Sequence, residues 1–222
     1  MTLNGIDISV HNEIDWNKFD DIDFVIIRAG YGKLISQRDK KLDQHYTAAK
    51  QRGKHIGIYW YSYAKTPAEA ELEAMTCLAA IKGLDIDWPI YFDIEEKSQR
   101  ALGRETCSAM VKAFCDVIES AGYIAGFYCN VDFYNNCISD VIKQRYTCWI
   151  AHWNVSKPAV NAPMWQYTDS NGTLDRDYAY TDFSTWKTSK NIVDSNQQLA
   201  WEFPIEIKIG DKTYIGTVTE KQ

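Results

Sequence analysis

The chain has 222 residues, of which 45% are apolar and 24% are charged, and its formal net charge is −6. This composition is ordinary for a folded domain with a sizeable core and excludes global disorder. The acidic balance and the scattered lysines and arginines argue against a nucleic-acid-binding protein. No run of about 18 apolar residues occurs, so we expect no membrane span.

Short apolar runs, rich in β-branched and aromatic residues, recur along the chain between turn residues. Several are almost continuously apolar, which is typical of parallel strands covered on both faces. The runs predict eight strands, at 4–10, 23–30, 55–63, 88–95, 123–130, 146–153, 162–168 and 172–177.

Three segments between the first five strands have the periodicity of amphipathic helices, at 39–53, 66–83 and 103–122. The second has Thr66 as N-cap and Pro67 at its first helical position. Eight strands with helices mainly in the first half of the chain predict an α/β fold, an irregular TIM-like (β/α) barrel. An open doubly wound sheet is the alternative, but no glycine-rich phosphate loop supports it.

The composition changes near residue 187, where a polar, linker-like segment begins. Residues 202–220 then alternate between apolar and polar, with Gly210-Asp211 as a turn, and predict a β-hairpin. We divide the chain into a barrel at 1–187 and a linker with a hairpin of unassigned role at 188–222. Because an isolated hairpin is marginally stable in water, we expect it to contact the barrel or a partner chain, for example through self-association.

The N-terminal residues and the cysteines bear on where the protein folds. The start, MTLNGIDISV, predicts a first strand and no signal peptide, because no basic region precedes a long apolar stretch. None of the six cysteines forms C-x-x-C or stands near histidines at metal-ligand spacing. We therefore expect buried free thiols and synthesis in a reducing cytoplasm.

Carboxylates occur at strand ends, where barrel enzymes keep their chemistry. Asp7 interrupts the first strand, Asp93 and Glu95 end the fourth, and Asp175 ends the eighth. Because the first and last strands are neighbours in a closed barrel, Asp7 and Asp175 should lie side by side, across the mouth from Asp93 and Glu95. Each acid alone is most simply a capping or loop carboxylate. However, carboxylates in apolar strands, such as Asp7 and Asp93, are rare without a partner or a task.

Clustered carboxylates raise the pKa of at least one member and keep it protonated near neutral pH. Glycoside hydrolysis needs such an acid beside an ionised carboxylate. A metal-dependent phosphodiesterase is the alternative use of four acids. No His-x-His ligand set or basic cluster supports that alternative, and Arg28 stands nearly alone. We therefore expect neither a metal nor a cofactor.

The eight tryptophans and 14 tyrosines suit either a packed core or a sugar-binding cleft. Those at the ends of the third, fifth, sixth and seventh strands concern the site. About half of them should pack outward under helices, and the other half should surround the acids. The substrate-binding residues that we expect in this groove are Arg28, Tyr61, Tyr128, Trp149, Gln166 and Tyr167.

Seven segments resemble, in order, the motifs of family 25 glycoside hydrolases, which are lysozymes (N-acetylmuramidases) of bacteria and phages. The resemblance covers residues 3–187 and implies an irregular barrel. It also implies cleavage of the β-1,4 bond between N-acetylmuramic acid and N-acetylglucosamine in peptidoglycan. The segments are GIDISVHNEIDW (5–16), DFVIIRAGYG (23–32), GIYWYSYA (57–64), PIYFDIEE (89–96), WIAHW (149–153), MWQYT (164–168) and GTLDRDYAY (172–180).

The resemblance implies that Glu95 is the general acid. It implies that Asp93 orients the acetamido group of the substrate or stabilises the charged intermediate, and that Asp7 and Asp175 are supporting carboxylates. Asp177 departs from the pattern, since asparagine is frequent at its position.

The same resemblance implies a phage endolysin or bacterial autolysin that acts at the bacterial cell wall. The missing signal peptide and the free cysteines favour an endolysin that is made in the cytoplasm and released through a separate pore. Its partner would be the glycan strands of peptidoglycan. A catalytically silent wall-binding protein is the alternative, although the presence of all four acids speaks against it.

Overall fold

The computed structural model describes residues 2–168 and 174–186, together with the backbone of residues 203–209 and 212–218. The chain divides into two compact units, Met1–Ser189 and Lys190–Gln222. The predicted linker at 188–198 and the predicted Gly210-Asp211 turn lie outside the described residues.

The first unit contains a closed barrel whose strands follow each other in chain order. The strands are β1 (Leu3–Ile8), β2 (Phe24–Tyr31), β3 (His55–Tyr61), β4 (Ile90–Asp93), β5 (Ala125–Asn130), β6 (Thr147–Ala151), β7 (Met164–Gln166) and β8 (Asp175–Ala179). Strands β1 to β7 pair in parallel, whereas β8 is antiparallel to both of its neighbours, β7 and β1. The predicted irregular TIM-like barrel is therefore confirmed, with a reversed last strand.

All α-helices of the described residues lie between β2 and β6. They are α1 (Leu42–Gln51), α2 (Pro67–Ala80), α3 (Lys97–Arg100), α4 (Gly103–Ser120), α5 (Val131–Cys137) and α6 (Asp140–Arg145). The predicted helices correspond to α1, α2 and α4, and the hydroxyl of Thr66 caps α2 by accepting from the backbone N–H of Glu69 at 3.2 Å. No helix of the described residues is long and apolar enough to cross a lipid bilayer.

Alternation along the strands divides the apolar side chains into two clusters. One lies outside the barrel, between strands and helices, and includes Trp60 and Phe92. The other fills the barrel interior, where Trp88 stacks on Phe24 with ring centroids 4.5 Å apart. Gly5 makes room for Phe24, because a Cβ at this position would lie 2.2 Å from its ring. Aromatic rings therefore fill the N-terminal end of the parallel strands and leave the opposite end for polar side chains.

The second unit contains β9 (Phe203–Ile209) and β10 (Lys212–Val218). These strands pair antiparallel, with Ile209 opposite Lys212 and Phe203 opposite Val218, so the predicted hairpin is confirmed.

The six cysteines are all buried and unpaired, as predicted from their positions in apolar runs.

Candidate active site

The strand register gathers the predicted acids at one rim of the barrel. Asp7 lies directly opposite Asp175 across the β1–β8 pair, as predicted. Asp93 ends β4, and Glu95 follows it by two residues. The prediction that Asp175 ends its strand is wrong, because it begins β8. It still reaches this rim, since a reversed strand starts where its parallel neighbours finish.

Asp7 is held by a fixed amide. It is 8% exposed, and its Oδ2 accepts from Nε2 of Gln166 at 2.8 Å. Oε1 of Gln166 accepts from the hydroxyl of Tyr128 (2.9 Å) and from Nε1 of Trp153 (3.0 Å), which leaves Nε2 as the group that faces Asp7. Burial, followed by the charge of Asp175, raises the pKa of Asp7 to about 7.

Asp93 is a buried carboxyl with an unused oxygen. Its Oδ1 has no hydrogen-bond partner among the residues that the structure describes. Burial first, and then the negative charges of Glu95 and Asp7, hold the pKa of Asp93 well above its usual range, while Arg28 opposes this rise. Burial therefore disfavours the ionised form of Asp93 without a ligand, and Oδ1 is a buried acceptor that no donor of the described residues satisfies.

Glu95 is half-buried and has an acidic neighbour. Burial, followed by the charge of Glu96, raises the pKa of Glu95, and the hydroxyl of Tyr61 opposes the rise. That hydroxyl donates to Oε1 of Glu96 at 2.6 Å, which links the end of β3 to the residues after β4. A partly accessible carboxyl with a raised pKa is the group that general acid catalysis needs.

Arg28 is fixed beside these acids. Its Nε donates to Oδ2 of Asp39 at 2.8 Å, and the Asp39 side chain is fully buried. The same oxygen accepts from the backbone N–H of Val10 at 2.9 Å. Arg28 is therefore a positioned cation at the edge of the carboxyl cluster, and its guanidinium lies 6.0 Å from the ring centre of Tyr31.

A cavity of about 480 Å³ opens on the side of Arg28. It lies next to the four acids and not around them. Its lining combines aromatic rings and cations with a few other residues: Val10, His11, Arg28, Tyr31, Ser36, Arg38, Asp39, Lys40, Tyr61 and Tyr63.

Five of the six predicted substrate-binding residues lie on the inner face of the barrel. Around the barrel, Tyr61 pairs with Asp93, Asp93 with Tyr128, and Tyr128 with Trp149, and directly opposed residues share a face. Trp149 is only 1% exposed, so its ring forms a wall of the site and offers no face for stacking on a sugar. The exposed rings at the rim are instead those of Tyr31, Tyr63 and Trp153.

Tyr167 is not brought to the acids. Because side chains alternate along a strand, Gln166 faces the interior and Tyr167 faces the other way. The ring of Tyr167 stacks on that of Tyr178, with centroids 4.3 Å apart and planes 13° apart. The expectation that Tyr167 lines the groove is therefore not met, and it is left out of the substrate contacts proposed below.

Asp177 joins the site, although the sequence-based site residues did not include it. Its side chain is fully buried, and its Oδ1 accepts from Nε1 of Trp149 at 2.8 Å. Its carboxyl also contacts that of Asp7. Two signals could have revealed it: it stands two residues after Asp175, on the same strand face, and it departs from the family pattern.

Glu73 of α2 supports the segment that follows β3. Its side chain is fully buried, and its Oε1 accepts from the backbone N–H of Tyr63 at 2.9 Å. Burial raises the pKa of Glu73 to about 7, although a hydrogen bond with Ser62 opposes the rise. At neutral pH this carboxyl therefore costs free energy to bury.

Replacing Glu73 by Gln should stabilise the protein at neutral and alkaline pH. A raised folded-state pKa means that wild-type stability is greatest below the unfolded pKa and falls as pH rises toward 7. Glu73→Gln removes this loss and keeps an acceptor for Tyr63, so we expect a gain of up to about 3 kcal/mol at high pH. Urea unfolding between pH about 4 and about 8 measures it.

The matched control is Glu71→Gln, two residues away on the exposed face of α2. Its unfolding free energy should run parallel to that of the wild type at every pH. A gain for Glu73→Gln that stays the same at acidic and alkaline pH would contradict the buried-carboxyl explanation.

The described residues contain no group of three or more histidine, cysteine, aspartate or glutamate side chains arranged to hold a metal ion.

The site lies at the C-terminal rim of the parallel strands of a closed barrel and contains carboxyls of raised pKa. This arrangement is typical of the active site of a glycoside hydrolase. Residues 6–175 match the family Glycosyl hydrolases family 25, and the chain belongs to that family.

The relatives differ from this chain in length. The autolytic lysozyme of Clostridium acetobutylicum is 30% identical over 173 residues, which cover 76% of this chain and 51% of that protein. The chain thus spans about half the length of this curated relative.

Two solved structures share the fold. The modular autolysin LytC from Streptococcus pneumoniae superposes with a TM-score of 0.70 at 25% identity, covering 81% of this chain and 47% of that one. A family 25 glycosyl hydrolase from Bacillus anthracis superposes with a TM-score of 0.69 at 18% identity, covering 83% and 93% respectively.

Proposed function

We propose that the chain hydrolyses the β-1,4 bond between N-acetylmuramic acid and N-acetylglucosamine in bacterial peptidoglycan. The observation that carries the proposal is the convergence of Asp7, Asp93, Glu95 and Asp175 at one rim of a family 25 barrel. Two relatives support it: one is named an autolytic lysozyme, and the autolysin LytC has also been solved in complex with a synthetic peptidoglycan ligand.

In this proposal Glu95 is the general acid. Its raised pKa favours the protonated form when the glycan binds, and its half-buried carboxyl donates that proton to the leaving glycosidic oxygen. Glu96 assists through its charge, which helps to hold the proton on Glu95.

Asp93 binds the sugar on the other side of the scissile bond. Its free Oδ1 accepts the N–H of the acetamido group, so the ligand supplies the hydrogen bond that the protein does not. This contact aligns the acetamido oxygen with the anomeric carbon, and an ionised Asp93 also stabilises the positive charge that develops there. Asp7 and Asp175 add negative charge nearby and are fixed by the β1–β8 register and by Gln166.

The flanking cavity suits a neighbouring part of the glycan. The rings of Tyr31 and Tyr63 lie 6.1 Å apart and expose apolar faces for sugar rings. Arg28, Arg38 and Lys40 add positive charge to the lining of the cavity. This combination fits a polymer that alternates neutral sugars with sugars that carry acidic substituents.

The test is digestion of purified, metal-free peptidoglycan, followed by release of reducing sugars and loss of turbidity. The proposal predicts new reducing ends at a rate that is unchanged by a chelator. Binding to walls without reducing ends would indicate a silent wall-binding protein. Loss of activity in chelator would indicate metal chemistry, and either outcome overturns the proposal.

We further propose that the protein acts at the bacterial cell wall as an endolysin or autolysin. Treatment of living bacterial cells and of isolated cell walls with the same enzyme preparation tests this placement. Lysis of isolated walls is the expected result, and resistance of isolated walls of every tested bacterium would contradict it.

A further inference from the structure

Asp177 has a polar atom that no donor satisfies. One oxygen, Oδ1, accepts from Nε1 of Trp149, while Oδ2 is buried and has no hydrogen-bond donor among the described residues. Its cross-strand neighbours explain this: Asp177 pairs with Gly5 on β1, which has no side chain, and with Gln166 on β7, whose amide donates to Asp7.

The group beside Asp177 is another carboxyl. Asp7 pairs with Asp175, so Asp177 lies diagonally across from Asp7 on the same face of the sheet. The two carboxyls are in hydrogen-bonding contact. Carboxylates only accept hydrogen bonds, so a contact between two carboxyls is favourable only when one of them carries a proton.

The surroundings place that proton on Asp177. Asp7 accepts a hydrogen bond from Gln166 and reaches the mouth, whereas Asp177 is fully enclosed and has one donor, the indole of Trp149. The ionised form is therefore better supported on Asp7, and burial and the charge of Asp7 raise the pKa of Asp177 well above its usual range. The titratable groups around the pair are Asp93, Asp175, Glu95, Tyr59, Tyr91 and Tyr128, and Arg28 is the cation beside Asp93 and Tyr59.

We propose that Asp177 is a positioning residue: a neutral carboxylic acid whose O–H donates to Asp7, favours the ionised form of that carboxyl and orients it beside Asp175. Its role in catalysis rests on the proposed function, because it acts through Asp7 and touches no substrate. The proton itself does not rest on that function and can be measured without any substrate.

The proton is tested by infrared spectroscopy of the whole chain at neutral pH. The wild-type spectrum should contain a carbonyl band of a neutral carboxylic acid that the spectrum of Asp177→Asn lacks. The control Asp21→Asn, at an exposed carboxyl, should retain this band. Identical acid bands in wild type and Asp177→Asn would overturn the proposal.

A second measurement detects the proton through the pH dependence of the free energy of unfolding. Because the folded-state pKa of Asp177 is raised, wild-type stability should fall as pH rises above the unfolded pKa of aspartate, and the slope should be steeper by about one proton than that of Asp177→Asn. Equal slopes for the two proteins would overturn the proposal.

The kcat values of two Asp177 variants distinguish a positioning role from a role in packing alone. Asp177→Asn keeps an acceptor for Trp149 and gains an N–H that donates to Asp7, so its kcat should stay within about threefold of wild type. Asp177→Val removes the donor and should lower kcat more than about tenfold with little change in KM. Equal kcat values for the two folded variants would overturn the donor role. A wild type that cleaves no peptidoglycan would instead overturn the proposed function and leave the spectroscopic and stability results intact.

Discussion

Replacing Glu95 by Gln should abolish hydrolysis of peptidoglycan while the fold and the binding of walls remain. Glutamine has nearly the shape of glutamate but cannot give a proton to the leaving glycosidic oxygen. General acid catalysis contributes about 10²–10⁴-fold to rate, so we expect kcat to fall by at least about 10²-fold. The initial rate of reducing-sugar release measures it, with a sedimentation assay for wall binding.

The neighbouring carboxyl provides a matched comparison. Glu96→Gln keeps an acceptor for the hydroxyl of Tyr61 but removes the charge that raises the pKa of Glu95. A lower pKa means that Glu95 loses its proton at a lower pH. The alkaline limb of the pH–rate profile should therefore shift to lower pH, with a maximal rate within about tenfold of wild type. A Glu95→Gln protein that lyses walls at the wild-type rate would show that the general acid is another residue.

Replacing Asp93 by Asn should lower activity and raise stability together. The change removes the charge that stabilises the developing positive charge at the sugar, so kcat should fall by about 10²–10³-fold. It also removes a buried carboxyl whose pKa is held well above its usual range, mainly by burial. Wild-type stability falls as pH rises above the unfolded pKa, and Asp93→Asn avoids that loss.

The expected result is a variant with a higher urea midpoint at pH about 7 and the same midpoint as wild type below pH about 3. Such opposed changes are typical of residues kept for function at a cost in stability. Asp93→Asn with full activity, or with lower stability at neutral pH, would contradict the role assigned to this carboxyl.

The closed barrel and the placement of Asp7 beside Asp175 could be predicted from the sequence. Eight apolar runs with helices between the early ones favour closure, and closure makes the first and last strands neighbours. The direction of β8 could not be predicted, because a short run carries no signal for parallel or antiparallel pairing. Asp175 therefore reaches the mouth from the start of its strand and not from its end.

The alternation of side chains between the two faces of a strand determines which aromatic residues face the acids. Gln166 and Tyr167 are adjacent, so only one can face the interior, and the sequence does not say which. The contact of Gln166 with Asp7 fixes the choice. The sequence places Asp177 two residues after Asp175, but its buried oxygen beside Asp7 is visible only in three dimensions.

Short elements escaped sequence analysis for a different reason. Helices α3, α5 and α6 have between four and seven residues each, too few to show a helical period. The cavity beside Arg28 combines strand residues with loop residues, such as Tyr63 and Lys40, whose convergence depends on tertiary structure.

The sugar at the new reducing end of digested peptidoglycan tests the central claim most directly. The fragments are treated with borohydride, hydrolysed and analysed for the reduced sugar. Cleavage after N-acetylmuramic acid predicts muramitol from the wild-type digest and none from the Glu95→Gln digest. Glucosaminitol in its place, or freed stem peptides without any reduced sugar, would mean that these barrel carboxylates cut a different bond.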